Sequence, residues 1–140
     1  MRIVGLGIVM LLCCLLASSA EACRCKAPPP PKEAAAEADA VFTGKVLKVG
    51  EPSDTGRAIQ LEIESTWKGT EGKKITITTP NESAGCGFTF EPGQSYLIYA
   101  YKSTDGEKKT FETNLCTRTK SLDAAKEDLD ALGKAKPVGR

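Results

Sequence analysis

Four cysteines carry most of the chemistry this sequence can offer. Cys23 and Cys25 stand one residue apart in EACRCKAPPPP at residues 21–31, and Cys86 and Cys116 follow far downstream. Thiols so arranged either oxidise to disulfides or, as thiolates, hold a metal such as zinc. Cysteines separated by one residue rarely bond to each other, because so short a link strains the bridge. Each of the pair is therefore expected to bond one of the two later cysteines, and both such pairings remain open at this level. Either closes loops of roughly 60 residues or more, worth roughly 4 kcal/mol per bridge when the unfolded chain is restrained that far. A zinc site built from all four cysteines is the rival. With no C-x-x-C and no histidine, and with the oxidising destination argued next, disulfides are the expectation and no metal is expected in the free protein.

The destination is read from residues 1–22. One positive charge at Arg2 precedes an apolar run over residues 3–17, and small residues ending in Ala20-Glu21-Ala22 follow. That is the pattern of a secretory signal peptide, too short for a membrane anchor, so the chain is expected outside the cell. Cleavage after Ala22 leaves Cys23 as the first residue; cleavage after Ala20 is the competitor. Removing the signal takes Cys13 and Cys14 with it, so the six cysteines become four. Residues 23–133 are expected to form one domain, with 134–140 a flexible tail.

Other chemistry is thin. There is no histidine, which removes the commonest general base and metal ligand. No phosphate-binding glycine loop or nucleophile motif occurs, and the carboxylates Glu62 and Glu64 alternate with apolar residues as a solvated strand face would. Glu127, Asp128 and Asp130 read as the wet side of a helix. An enzyme is not expected, nor a cofactor. The 19 Lys and Arg against 18 Asp and Glu are mixed along the chain, which gives no footprint for nucleic acid or an anionic membrane.

The elements that must position the cysteines are mostly strands. The prolines after Lys26 favour an extended, stiff lead-in, and the alanine-rich stretch before Asp39 has room for one or two helical turns. Within residues 41–49 the β-branched Val41, Thr43, Val46 and Val49 suggest a strand. In AIQLEIESTWK, residues 58–68, Ile59, Leu61, Ile63 and Trp67 alternate with polar residues, which predicts one buried and one wet face. KKITITT places Ile75 and Ile77 inside. SYLIYAYK, residues 95–102, is apolar on both faces and so central, and its tyrosines are expected to pack rather than to form a stacking surface. Asp105-Gly106 signals a hairpin into a strand carrying Phe111, Thr113 and Leu115. Ser121 is expected to cap a helix that buries Leu122, Ala125, Leu129 and Leu132 and ends at Gly133. Five antiparallel strands and a C-terminal helix most simply close into a small barrel of the OB type, with a sandwich as the alternative.

With C-x-C opening the mature chain, ESAGCG at residues 82–87 and NLC at 114–116, the sequence resembles the N-terminal, netrin-like domain of the tissue inhibitors of metalloproteinases. The likeness covers roughly residues 23–122 and is most specific at C-x-C combined with the Glu-Ser-small-Cys-Gly segment. The resemblance implies a five-stranded OB-like barrel with Cys23 bonded to Cys86 and Cys25 to Cys116. It also implies a secreted or membrane-bound zinc metalloprotease as partner, its catalytic zinc chelated by the free amine and carbonyl of Cys23. Such an amine must be neutral to donate its lone pair, which a pKa of about 7.7–8.0 allows near neutral pH. Arg24 would enter the protease's primed-side pocket, with Cys25 and Lys26 behind it, while Ser83, Ala84 and Gly85 would line the other side of the cleft. Arg24 is long and charged where the family favours a smaller residue, so an ordinary matrix enzyme is not the expected target. Asn81-Glu82-Ser83 fits a glycosylation acceptor beside that edge. The alternative is a netrin-like extracellular binding module without zinc chemistry. A monomer is expected.

Overall fold

A computed structural model describes residues 22–104 and 110–139; residues 1–21, which hold all but the last residue of the expected signal peptide, and the expected Asp105-Gly106 turn lie outside the described residues. Among the described residues the fold is mainly β, with six strands: β1 (Ala40–Ser53), β2 (Gly56–Lys68), β3 (Lys74–Thr79), β4 (Ser95–Lys102), β5 (Phe111–Glu112) and β6 (Lys120–Ser121). Two short helices, α1 (Pro31–Glu37) and α2 (Lys126–Leu132), flank them. Proline at the first helical position suits α1, because its missing N–H would have no partner there.

The sheet order is β1-β2-β3-β5-β4-β6, and β4 also pairs with β1. Two features differ from five antiparallel strands. A sixth, two-residue strand is added, and β3 meets β5 in parallel through Ile77 to Phe111 and Thr78 to Glu112. The strand expected to run on through Leu115 stops at Glu112 because the chain turns on side-chain hydrogen bonds. Thr113 Oγ1 donates to the Tyr99 carbonyl at 2.9 Å, and the Cys116 amide donates to Asn114 Oδ1 at 2.8 Å. Leu115 is left exposed.

Strand β4 is covered on both sides, as its composition implies. Tyr96, Ile98 and Ala100 join Phe42, Val46, Ile59, Leu61, Ile63 and Ile77 in one apolar cluster. Leu97 and Tyr99 join Val41 and the helix residues Ala34 and Ala125 in another. Tyr96 and Tyr99 are buried, so they pack and offer no stacking face. Trp67 departs from its expected place. Between Val41 and Phe42 the ladder slips, Val41 facing Lys68 and Phe42 facing Thr66, so Trp67 is the extra residue of a bulge. An earlier slip, between Gly44 facing Ile63 and Thr43 facing Ser65, makes Glu64 an extra residue and shifts the alternation by one before Trp67 is reached: Thr66 faces Phe42, and Trp67 leaves the cluster of Ile59, Leu61 and Ile63 and packs against the helix-side cluster, its Nε1 donating to the Gly133 carbonyl at 2.9 Å.

The C-terminal region also departs. Ser121 makes no side-chain cap; Leu122–Ala124 is a 3-10 turn, and α2 begins after Ala125. The residues after Gly133, expected to be a flexible tail, return to the sheet. The Lys136 amide donates to the Thr66 carbonyl at 2.7 Å, and Val138 packs on the first cluster. The room arises because β3 pairs with β2 only between residues 57 and 62, leaving the end of β2 open.

Asp128 was expected in solvent and is fully buried. Its carboxylate accepts from Arg118 Nε at 2.6 Å, Arg118 Nη2 at 3.0 Å, Lys120 Nζ at 2.7 Å and the Tyr99 hydroxyl at 2.9 Å. Burial alone would raise the pKa of this carboxyl, but the donors from Arg118, Lys120 and Tyr99 together outweigh it and hold the group at about 2. The same carboxylate and burial push the Tyr99 hydroxyl well above its ordinary value. A depressed folded-state pKa means that the unfolded chain binds the proton first. Stability from Asp128 is therefore complete above about pH 5 and is lost as pH falls through about 4 towards 2, a loss of about 2–3 kcal/mol. Asp128→Ala should lose about 3–5 kcal/mol at pH 7, because the largely buried Arg118 loses its closest acceptor and keeps only the exposed Glu127 at 3.7 Å and the Pro29 carbonyl. Urea unfolding at pH 7 and pH 3 checks both: the fall in stability between the two pH values should be clearly smaller in the variant.

Candidate functional site

The four cysteines meet at one end of the sheet. Cys23 is bonded to Cys86 and Cys25 to Cys116, with Cα separations of 5.1 and 5.0 Å. Of the two pairings left open by the sequence, this is the one that the family resemblance implies. The bridges lie against each other: Cys23 Sγ is 3.9 Å from Cys25 Sγ and 3.6 Å from Cys116 Sγ, and Cys116 Sγ is 3.8 Å from Cys86 Sγ.

The two downstream cysteines are fixed by backbone structure of their own. After β3 the chain makes a 3-10 turn, Ser83–Gly85, in which the amides of Gly85 and Cys86 donate to the carbonyls of Glu82 and Ser83, each at 3.0 Å. Cys86 takes a left-handed conformation, φ 67°, which is uncommon for a residue with a side chain. Gly87 follows, its amide donating to the Glu82 carbonyl at 2.9 Å, and a Cβ there would collide with the carbonyl oxygen of Pro80. The Leu115 amide then donates to the Cys86 carbonyl at 2.8 Å, joining the 82–87 segment to the 114–116 turn. Phe88 and Phe90 pack on Tyr96, with ring centroids 5.7 and 4.9 Å away, and so seat this segment on the core.

The N-terminal strand of the site hangs from these anchors. Arg24, Cys25 and Lys26 are exposed, as are Ser83, Ala84 and Gly85. All six expected contact residues thus sit on or beside the disulfide pair, the last three through their neighbour Cys86. Behind Lys26, the Arg118 Nη1 donates to the Pro29 carbonyl at 3.1 Å, so the proline lead-in is tied to the buried Asp128 carboxylate. A groove of about 830 Å³ runs along the proline segment, bounded by Arg24, Lys26, Glu33, Tyr101, Glu112 and Arg118. Asn81 is exposed next to the turn and donates through Nδ2 to the Ser53 carbonyl at 2.8 Å.

Sequence reasoning missed Arg118 and Asp128. A signal existed for the second: Asp128 lies three residues after Ala125 and four before Leu132, on the stripe that α2 buries. Nothing in the sequence points to Arg118. Compared with known proteins, the chain matches no protein-family model and no curated protein.

What the arrangement can do chemically is present an extended strand, rigid at both bridges, beside an exposed turn. Rigidity matters because a pre-ordered edge loses little conformational entropy on docking. Gly87→Ala should cost about 1–3 kcal/mol, because the new methyl meets backbone that cannot move aside cheaply. Gly85→Ala, whose Cβ would approach only Pro80 Cβ at 4.0 Å, should stay within about 0.5 kcal/mol. Thermal melting of the two oxidised variants makes the comparison.

Proposed function

We propose that the protein is a secreted inhibitor of zinc metalloproteases of the tissue-inhibitor type, acting without enzymatic activity of its own. The observation that carries the reading is the attachment of Cys23 and Cys25 to Cys86 and Cys116, which fixes residue 23 on an exposed edge with Ser83–Gly85 tethered alongside. If the chain is processed after Ala22, the α-amino group and carbonyl of Cys23 become the leading atoms of that edge. In a protease with three protein ligands on zinc, they would occupy the open position and displace the water that hydrolysis needs. Arg24 would follow into the adjoining pocket, and a target that accepts it must offer an acidic or solvated site, since a buried unpaired guanidinium is costly.

The fold reading goes with it. Pairings that run β1-β2-β3-β5-β4 and return to β1 leave few open edges, as a small OB-like, netrin-like barrel requires. The second reading is a non-inhibitory netrin-like extracellular binding module, favoured by the groove along residues 26–30.

The start site separates the two. Secreted material should begin at Cys23 by N-terminal sequencing; a start at Glu21 would leave only the binding module. One alanine added ahead of Cys23 should weaken inhibition of a responsive metalloprotease by roughly 100-fold or more, because it removes a metal ligand, while the melting temperature stays unchanged. Inhibition unaffected by the extension would overturn the zinc-chelating mechanism.

A further inference from the structure

We propose that, once both bridges are reduced, the four cysteines form a tetrahedral thiolate site for one zinc-class metal ion per chain. The inference does not rest on protease inhibition; it rests on where the sulfurs lie.

A tetrahedral zinc–thiolate site with bonds of about 2.3 Å has its sulfurs about 3.8 Å apart along every edge. Three edges of such a tetrahedron already exist across the two bridges: Cys23 to Cys116 at 3.6 Å, Cys86 to Cys116 at 3.8 Å and Cys23 to Cys25 at 3.9 Å. The Sγ atoms of Cys23, Cys86 and Cys116 all fall within 4.8 Å of one another. Reduction must lengthen the two covalent S–S contacts to the same distance and draw Cys25 towards Cys86, because Cys25 lies outside the group of sulfurs that fall within 4.8 Å of one another. Cys86 and Cys116 would keep their places, because the Cys86 amide is bonded to the Ser83 carbonyl, the Leu115 amide to the Cys86 carbonyl and the Cys116 amide to Asn114 Oδ1, none of which needs a bridge. Cys23 and Cys25 belong to an extended segment with no strand partners, so Cys25 can move towards Cys86 without breaking a ladder.

Charge favours the same site. Four thiolates around a divalent ion carry two net negative charges, and Arg24 and Lys26 alternate with the two N-terminal cysteines. The chemistry balances. Two equivalents of a phosphine reductant and two of water convert the bridges to four thiols and two phosphine oxides, and a divalent ion then replaces four thiol protons. Binding should therefore strengthen with pH. The same four side chains thus offer an oxidised, metal-free staple and a reduced, metal-held one.

The test uses the full chain reduced with a phosphine and titrated anaerobically with cobalt(II), then zinc(II). The expected result is one cobalt per chain with intense thiolate-to-cobalt charge-transfer bands, displaced by one zinc, and no bands for the oxidised protein. Loss of an outer partner alone weakens metal sites about 10–100-fold. The double variant Cys25→Ser with Cys116→Ser, which removes two ligands together, should therefore bind more than roughly 100-fold less tightly. Circular dichroism accompanies each titration. A reduced chain that stays folded without these bands would overturn the proposal. So would one that unfolds and is not refolded by cobalt, or a double variant that binds as well as the parent.

Discussion

The buried carboxylate of Asp128 is the contact on which the positions of the other parts depend. It receives hydrogen bonds from four donor atoms on three residues of two separate segments: Tyr99 on β4, and Arg118 and Lys120 in the stretch that leads into β6. One of these donors then reaches further, Arg118 passing on to the carbonyl of Pro29. A charge in this position is expensive to bury alone and strongly bound when fully paired. The gain is therefore less in net stability than in geometry: helix, central strand and N-terminal lead-in can be assembled in only one mutual arrangement if every donor is to be satisfied.

That arrangement decides where the cysteines go. Strand β4 needs cover on its second face because Leu97 and Tyr99 point away from the main cluster. Helices α1 and α2 provide it, and α1 can lie there only if the chain before it runs past Arg118 towards the 114–116 turn. The proline run suits this path, since it is extended and needs no ladder partners. The bridges then close on an end whose partners are already in place. Most of their contribution to stability comes from restraining the unfolded chain; in the folded protein they fix a segment that has no strand partners of its own.

Much of this was legible in the sequence, and the failures have definite causes. Alternation along β2 and the double-faced apolar pattern of β4 follow from side-chain period, which composition alone reveals. The helix-side placement of Trp67 does not, because the slip opposite Thr43 and Gly44 that flips the face after Ile63 depends on how β1 bends to meet both β2 and β4. β5 ends short of the expected Leu115 because Thr113 and Asn114 satisfy backbone groups with their side chains, a competition that β-propensity does not register. Asp128 was assigned to solvent on its charge, although its helical spacing puts it on the buried stripe. The ordered segment after Gly133 depends on an opening at the end of β2 that no local signal announces. At the site, the C-x-C pair and the later cysteines were visible, as were the exposed residues 83–85; the clamp on Pro29 was not.

The most strongly perturbed ionisable groups are thus structural ones. Perturbed carboxylates often mark catalytic acids and bases, but Asp128 is saturated by its donors and faces no solvent. A group so committed cannot exchange a proton with a substrate without dismantling the fold around it. The exposed chemistry lies instead at the sulfur-held edge, where Arg24, Lys26 and residues 83–85 are open to solvent. Division of labour follows from the physics: a titratable group buried for rigidity cannot also turn over, and a rigid edge is what recognition of another surface requires. The interior polar network thus locates the exposed N-terminal segment, since Arg118 ties the Pro29 carbonyl to the Asp128 carboxylate.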